Sequence, residues 1–185
     1  MIAGPQPHGG PARCQEVVCV SIAQETAAEI GLRWIFQSYW GFKNAPQVAD
    51  FNAYGKALLI CAKGDGDLAD EEREYAVGLI AGMHGPADLV EELKTDSGDG
   101  DLKEVLGAAE GAGASGACLL YDAIRVSAAD GVLAPGELEQ IEAAADLLGV
   151  GRDAVAQLVE IHQQEAELVK RRFELCYPDA ESRPF

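Results

Sequence analysis

Apolar positions return every three or four residues along most of this chain, the period of an amphipathic helix. The first such stretch runs from Cys14 to Tyr39 through Val17, Val20, Ile30, Trp34 and Ile35, with Gly31 as its weak point. Gly41 and Asn44 close it, and Pro46 suits the first turn of the next helix. That helix sets Phe51, Tyr54, Leu58 and Cys61 on one face and stops at Gly64. Ala76, Leu79, Ile80 and Met83 form another stripe, and Leu89 with Leu93 a shorter one. A short helix follows near Leu102 to Ala109, and another from about Ser115 to Ala129. Ile141, Ala144, Ala145 and Leu148 come next. A long last stripe holds Val155, Val159, His162, Ala166, Val169, Phe173 and Cys176, and Pro178 ends it. Strand-favouring residues are sparse after position 60. The pattern predicts an all-α protein of about seven helices.

The chain also repeats itself. Asp65-Gly66-Asp67-Leu68-Ala69-Asp70-Glu71-Glu72 aligns with Asp130-Gly131-Val132-Leu133-Ala134-Pro135-Gly136-Glu137 at an offset of 65 residues. The alignment continues without a gap through Glu74 and Glu139, Asp88 and Asp153, Val90 and Val155, to Leu93 and Leu158. Each copy reads as one supersecondary unit that must bury its apolar face against a neighbour. A pseudo-twofold array of two halves is therefore expected. Glycine at 66 and 131 allows the sharp turn. The leucine two residues on drops under the loop. The glutamate near the third helical position suits the helix dipole and can reach back to free amides.

The formal charge is −17. Between Gly64 and Glu104 there are 13 acidic and 3 basic residues. That balance argues against nucleic-acid binding, which needs a basic footprint. It fits cations, a basic partner, or a solvated acidic surface. Cys14, Cys19, Cys61, Cys118 and Cys176 are odd in number and irregular in spacing, with no C-x-x-C. They form neither a disulfide framework nor a zinc site. Cys61, Cys118 and Cys176 are expected in apolar stripes as small hydrophobes. A cytoplasmic or other reducing compartment is the natural expectation. Met1 to Pro11 has no apolar run of the signal-peptide kind, and no segment has the length of a membrane span.

The nine residues Ala129-Asp130-Gly131-Val132-Leu133-Ala134-Pro135-Gly136-Glu137, followed by Ile141, resemble a known signature. It is the A-D-G-x-(I/L)-x-x-x-E-x-x-x-I pattern of the TerB tellurite-resistance family. Lys63 to Glu72 resembles the same signature, with Gly64 in place of the alanine. The resemblance spans roughly residues 46 to 176. It implies an all-helical, pseudo-symmetric, non-catalytic domain whose acidic surface is thought to bind metal ions. It also implies a place in stress-response and membrane-associated complexes. The expected organisation is a flexible arm at 1–12, an aromatic-rich helical extension at 13–45, the TerB-like domain at 46–177, and a tail at 178–185.

Gly-Asp-Gly-Asp-Leu occurs twice, at Gly64 to Leu68 and Gly98 to Leu102. Carboxylates on glycine-rich turns are hard oxygen donors of the kind Ca²⁺ takes. Asp65, Asp67, Asp96, Asp99 and Asp101 are the first metal candidates, with Glu72, Asp130 and Glu137 beside them. No EF-hand loop fits their order, and Asp-Gly turn chemistry accounts for the same residues. Gly111 to Gly116 matches G-x-G-x-x-G, but it follows a helix where a dinucleotide fingerprint needs a strand, so no organic cofactor is expected. His8, His84 and His162 share no metal spacing, and no nucleophile has a sequence-level partner.

Trp34, Phe36, Tyr39, Trp40 and Phe42 make a dense cluster in a chain with 6% aromatics. They fit core packing, or a surface for a protein partner or self-association. The expected function is thus an acidic binding module that takes Ca²⁺ in a stress-response assembly. The alternative is a scaffold subunit of a larger, membrane-associated complex, docking through residues 34–42. An enzyme whose site forms only in three dimensions is the third reading.

Overall fold

The computed structural model describes residues 25–109, 111 and 114–184. The arm at 1–12, the extension as far as residue 24, and Cys14 and Cys19 lie outside them. Among the described residues there are eight α-helices and no strand. They are α1 (Ala27–Arg33), α2 (Val48–Ala62), α3 (Asp70–Gly82), α4 (Ala87–Leu93), α5 (Leu102–Gly107), α6 (Gly116–Ser127), α7 (Pro135–Leu148) and α8 (Arg152–Cys176).

The repeat sets the architecture. Helices α3 and α7 begin 65 residues apart, at Asp70 and Pro135. Helices α4 and α8 begin 65 apart too, at Ala87 and Arg152. The same shift carries most of α2 onto α6, and these two mates pack on each other at the centre. Each half is thus a three-helix unit, and α5 lies in the connection. Leu58, Leu59, Leu119, Leu120 and Ile124 are fully buried along the central pair. Each such side chain contributes about 1.5–3 kcal/mol relative to exposure. Ile80 from α3 and Ile141, Ala144 and Ala145 from α7 close over them.

Local chemistry fixes the ends. Thr26 caps α1: the Glu29 amide donates to its Oγ1, and the Thr26 amide donates to the Glu29 carboxylate at 2.7 Å. Pro135 opens α7, where a first-turn proline is pre-organised. Helix α2 starts at Val48, two residues after the proline expected in its first turn.

The N-terminal segment departs from expectation. The helix expected to run to Tyr39 stops at Arg33 and widens into a π-turn over Trp34–Tyr39. There the Trp40 amide donates to the carbonyl of Ile35, five residues back. The change of pitch turns Phe36 inward, 5.9 Å from Phe51 by ring centroids. Gly31 is a point of contact as well as a weak point in the helix. A Cβ there would lie 2.8 Å from Nε2 of His84.

The last helix also departs. Val155 is its one buried residue, and Val169, Phe173 and Cys176 are exposed. Cys176 is therefore not the buried hydrophobe expected, whereas Cys61 is. Burial pushes the Cys61 thiol up to about 12, which keeps it inert.

Candidate functional site

The two loop-helix copies make the same hydrogen bonds. In the first, the Asp67 amide donates to Oδ1 of Asp65 at 3.1 Å; in the second, the Val132 amide donates to Oδ1 of Asp130 at 2.8 Å. Gly66 and Gly131 take φ of 107° and 101°, a region that other residues avoid. Leu68 and Leu133 pack beneath the loops. Then each glutamate reaches back over its own helix start. The Ala69 amide donates to Oε2 of Glu72 at 2.8 Å, and the Ala134 amide to Oε2 of Glu137 at 2.6 Å.

The loops approach each other closely. Gly64 lies so near the start of α7 that a Cβ on it would stand 2.6 Å from Cα of Glu137. A Cβ on Gly136 would stand 2.6 Å from the carbonyl oxygen of Gly64. Only bare backbone fits on both sides, and this contact brings Glu72 and Glu137 together. Each is only 3% exposed. Burial pushes the Glu137 carboxyl up to about 8, helped by its hydrogen bond with Glu72, opposed by the Ala134 amide, and raised further by the charges of Glu72 and Asp65. Burial and the neighbouring carboxylate thus both favour the protonated form of Glu137.

This proton gives stability a definite pH dependence. Folded Glu137 holds it up to about 8, whereas an unfolded glutamate releases it near 4.5. Between those values the folded state binds more protons, so stability falls as pH rises. The contribution is fully present below about 4.5 and is lost as pH passes through about 8. Thermal melts from pH 5 to pH 8 should show the decline, and Glu137→Gln should flatten it. An unchanged slope in that variant would refute the assignment.

The remaining carboxylates are dispersed. Asp96 accepts from the Gly98 amide at 2.8 Å. Asp99 pairs with Lys63 and is held below its ordinary value by that hydrogen bond. Asp101 caps α5 by accepting from the Glu104 amide at 2.8 Å. Asp67 is exposed. Among the described residues no three His, Cys, Asp or Glu side chains gather as a metal cage. The doubled pentapeptide thus divides: one copy stands beside the glutamate pair, and the other serves turn and cap. The donor set that does form is two hard carboxylates. It suits a cation that keeps much of its own water and offers too few ligands for a Ca²⁺ cage.

The aromatic segment divides as well. Phe36 is buried, and Trp40 and Phe42 pack against the core. Trp34 and Tyr39 are 58% and 64% exposed, with rings stacked at 6.5 Å. Core packing thus takes Phe36, while Trp34 and Tyr39 stay on the surface. Behind the segment lies a cavity of about 640 Å³, lined by Phe36, Trp40, Phe42, Phe51, Tyr54 and Cys118 among others.

At the edge of the cavity is a network that sequence reasoning missed. Asp122 is fully buried in α6. It accepts from the Tyr54 hydroxyl at 2.8 Å and from Arg125 at 2.8 Å. Burial pushes its carboxyl up, and Arg125 and Tyr54 oppose the shift. Arg125 lies between the Tyr75 and Tyr121 rings, 5.4 and 5.7 Å from their centroids. The available signal was a lone aspartate three residues before an arginine within an apolar helix.

No protein-family model and no curated protein matches the chain. A solved structure does, that of a tellurite resistance protein from Nostoc punctiforme. It is 34% identical with a TM-score of 0.77, and the match covers 87% of this chain and 99% of that one.

Proposed function

Because the chain belongs to the TerB-like tellurite-resistance family, we propose that it is a non-catalytic stress-response module whose Glu72–Glu137 pair exchanges the Glu137 proton for a hard divalent cation. The observation that carries this is the meeting of one buried glutamate from each repeat copy, with the Glu137 carboxyl pushed up by burial and by its hydrogen bond with Glu72. Two carboxylates in such a place are held at an electrostatic cost that a proton or a metal ion relieves. A bound cation would take one oxygen from each glutamate and complete its shell with water. The backbone amides of Ala69 and Ala134 keep both side chains aimed.

Calorimetry tests the reading, with Ca²⁺ and Mg²⁺ titrated in two buffers of different ionisation heat. The wild type should bind with buffer-dependent heat, because the Glu137 proton leaves. Glu72→Gln/Glu137→Gln should abolish that heat. Asp99→Asn should keep it, since Asp99 serves Lys63. No heat from either ion with the wild-type protein would remove the proposal.

The scaffold reading keeps one supporting observation, the exposed stack of Trp34 on Tyr39. A protein partner, free or membrane-associated, would cover that stack. Among the described residues no helix is long and apolar enough to cross a membrane.

A further inference from the structure

The cavity behind the aromatic segment lies at the opposite end of α2 from the glutamate pair. Asp50 and Phe51, near the start of α2, line it, and α2 ends at Ala62, roughly 15–20 Å further on, beside the Gly64 contact. Its volume of about 640 Å³ falls in the range of about 300–1,000 Å³ that small-molecule sites occupy. Phe36 and Phe51 are buried and form its depth, and Met83, buried too, adds an adaptable wall. The polar groups of the inner wall are engaged or uncharged. Tyr54 donates its hydroxyl proton to Asp122, and the Ser115 hydroxyl donates to the Gly111 carbonyl at 3.2 Å. Burial and the charge of Asp122 push the Cys118 thiol up, so it stays neutral. The rings do not stand parallel: Phe36 is inclined 33° to Phe42 and 76° to Phe51. Such walls offer no slot to a flat ring and suit a flexible hydrocarbon body.

The mouth carries the charge. Lys43 and Asn44 line the cavity and are exposed. Lys43 pairs with no carboxylate among the described residues, whereas Lys56, Lys63 and Lys94 each do. Asp50 is the other charged group of the lining, and it is engaged. Its carboxylate accepts from the Gln47 amide at 2.8 Å and lies so close against Gly111 that no Cβ fits between them. An ammonium and a side-chain amide remain for a head group, and both can donate. We propose that the cavity binds a straight-chain carboxylic acid, with its hydrocarbon body among the buried rings and its carboxylate on Lys43 and Asn44. An alcohol of the same length would fill the cavity without using the charge of Lys43, and a quaternary ammonium would be repelled by it. This site is separate from the cation site and stands without it.

Trp40 lines the cavity and is one of two tryptophans in the chain, so Trp34→Phe leaves it as the sole reporter. The full chain with that substitution is titrated with octanoate, decanoate and dodecanoate below their micelle concentrations, and calorimetry gives the stoichiometry. Trp40 fluorescence should change and saturate at one acid per chain. Affinity should rise about fourfold for each added methylene, the ratio that burying one CH₂ implies. Dodecanoate should bind about fivefold more tightly than dodecanol, and more tightly still than dodecyltrimethylammonium. Lys43→Gln should erase the preference over the alcohol and keep the alcohol bound. Cys118→Phe, which fills the cavity, should lose acid and alcohol alike, with circular dichroism confirming its fold. Lys43→Gln lies on the surface and decides the matter even where the larger side chain prevents folding. No saturable change with any acid would overturn the proposal. So would equal affinity for acid and alcohol, a preference that survives Lys43→Gln, or a folded Cys118→Phe that binds as the wild type does.

Discussion

Asp122→Ala is expected to lower the unfolding free energy by about 3–5 kcal/mol, because it breaks a buried ion pair from one side. Asp122 is wholly enclosed and is held by Tyr54 and Arg125. Its removal leaves the Tyr54 hydroxyl unpaired, and burial already holds that phenol well above its ordinary value. It also strands the Arg125 guanidinium between two tyrosine rings. Asp122→Asn keeps an acceptor for Tyr54 and should cost less, about 1–3 kcal/mol. Urea denaturation reads both values. A cost under about 1 kcal/mol for Asp122→Ala would mean that the network is not a structural tie.

Gly64→Ala should cost ~3 kcal/mol, at the upper end of overpacking effects, and should weaken cation binding at the same time. The added methyl would meet backbone, Cα of Glu137 at 2.6 Å, and backbone cannot rotate out of the way. The loops must separate, and with them Glu72 from Glu137. Gly78→Ala is the control. It lies exposed in α3 with nothing within 4 Å of an added Cβ, so it should stabilise by about 0.5–1 kcal/mol. If both substitutions behave alike, the close approach does not hold the site together.

The helices and their pairing were legible because burial in this fold follows a 3.6-residue period and the repeat has no gap. Leu89 and Leu93 face inward as their spacing demands, and α3, α4, α7 and α8 begin where a shift by 65 requires. Glu72 and Glu137 were legible as caps, since capping is a relation between near neighbours. That they meet each other was not, because their contact is made across 65 residues and depends on Gly64 and Gly136 lying backbone to backbone. Asp96, Asp99 and Asp101 were ambiguous for the same reason. A carboxylate on a glycine turn reads identically whether it faces an ion, an amide or a lysine. The aromatic segment was opaque because a change of helical pitch, invisible to a fixed-period reading, decides which rings turn inward.

Two halves that share helix starts and pack through their matching central helices carry a history. A duplicated gene, fused head to tail, leaves this arrangement. Before such a fusion the half-length chain would have paired with itself across a dyad, and a single glutamate would have met its own counterpart. Fusion frees the two positions to drift apart. The contact between Gly64 and Gly136 has as its mate the positions of Ala129 and Glu71, neither of them glycine. The two sides of the glutamate pair are thus no longer equivalent, and an ion arriving there would find a left hand and a right.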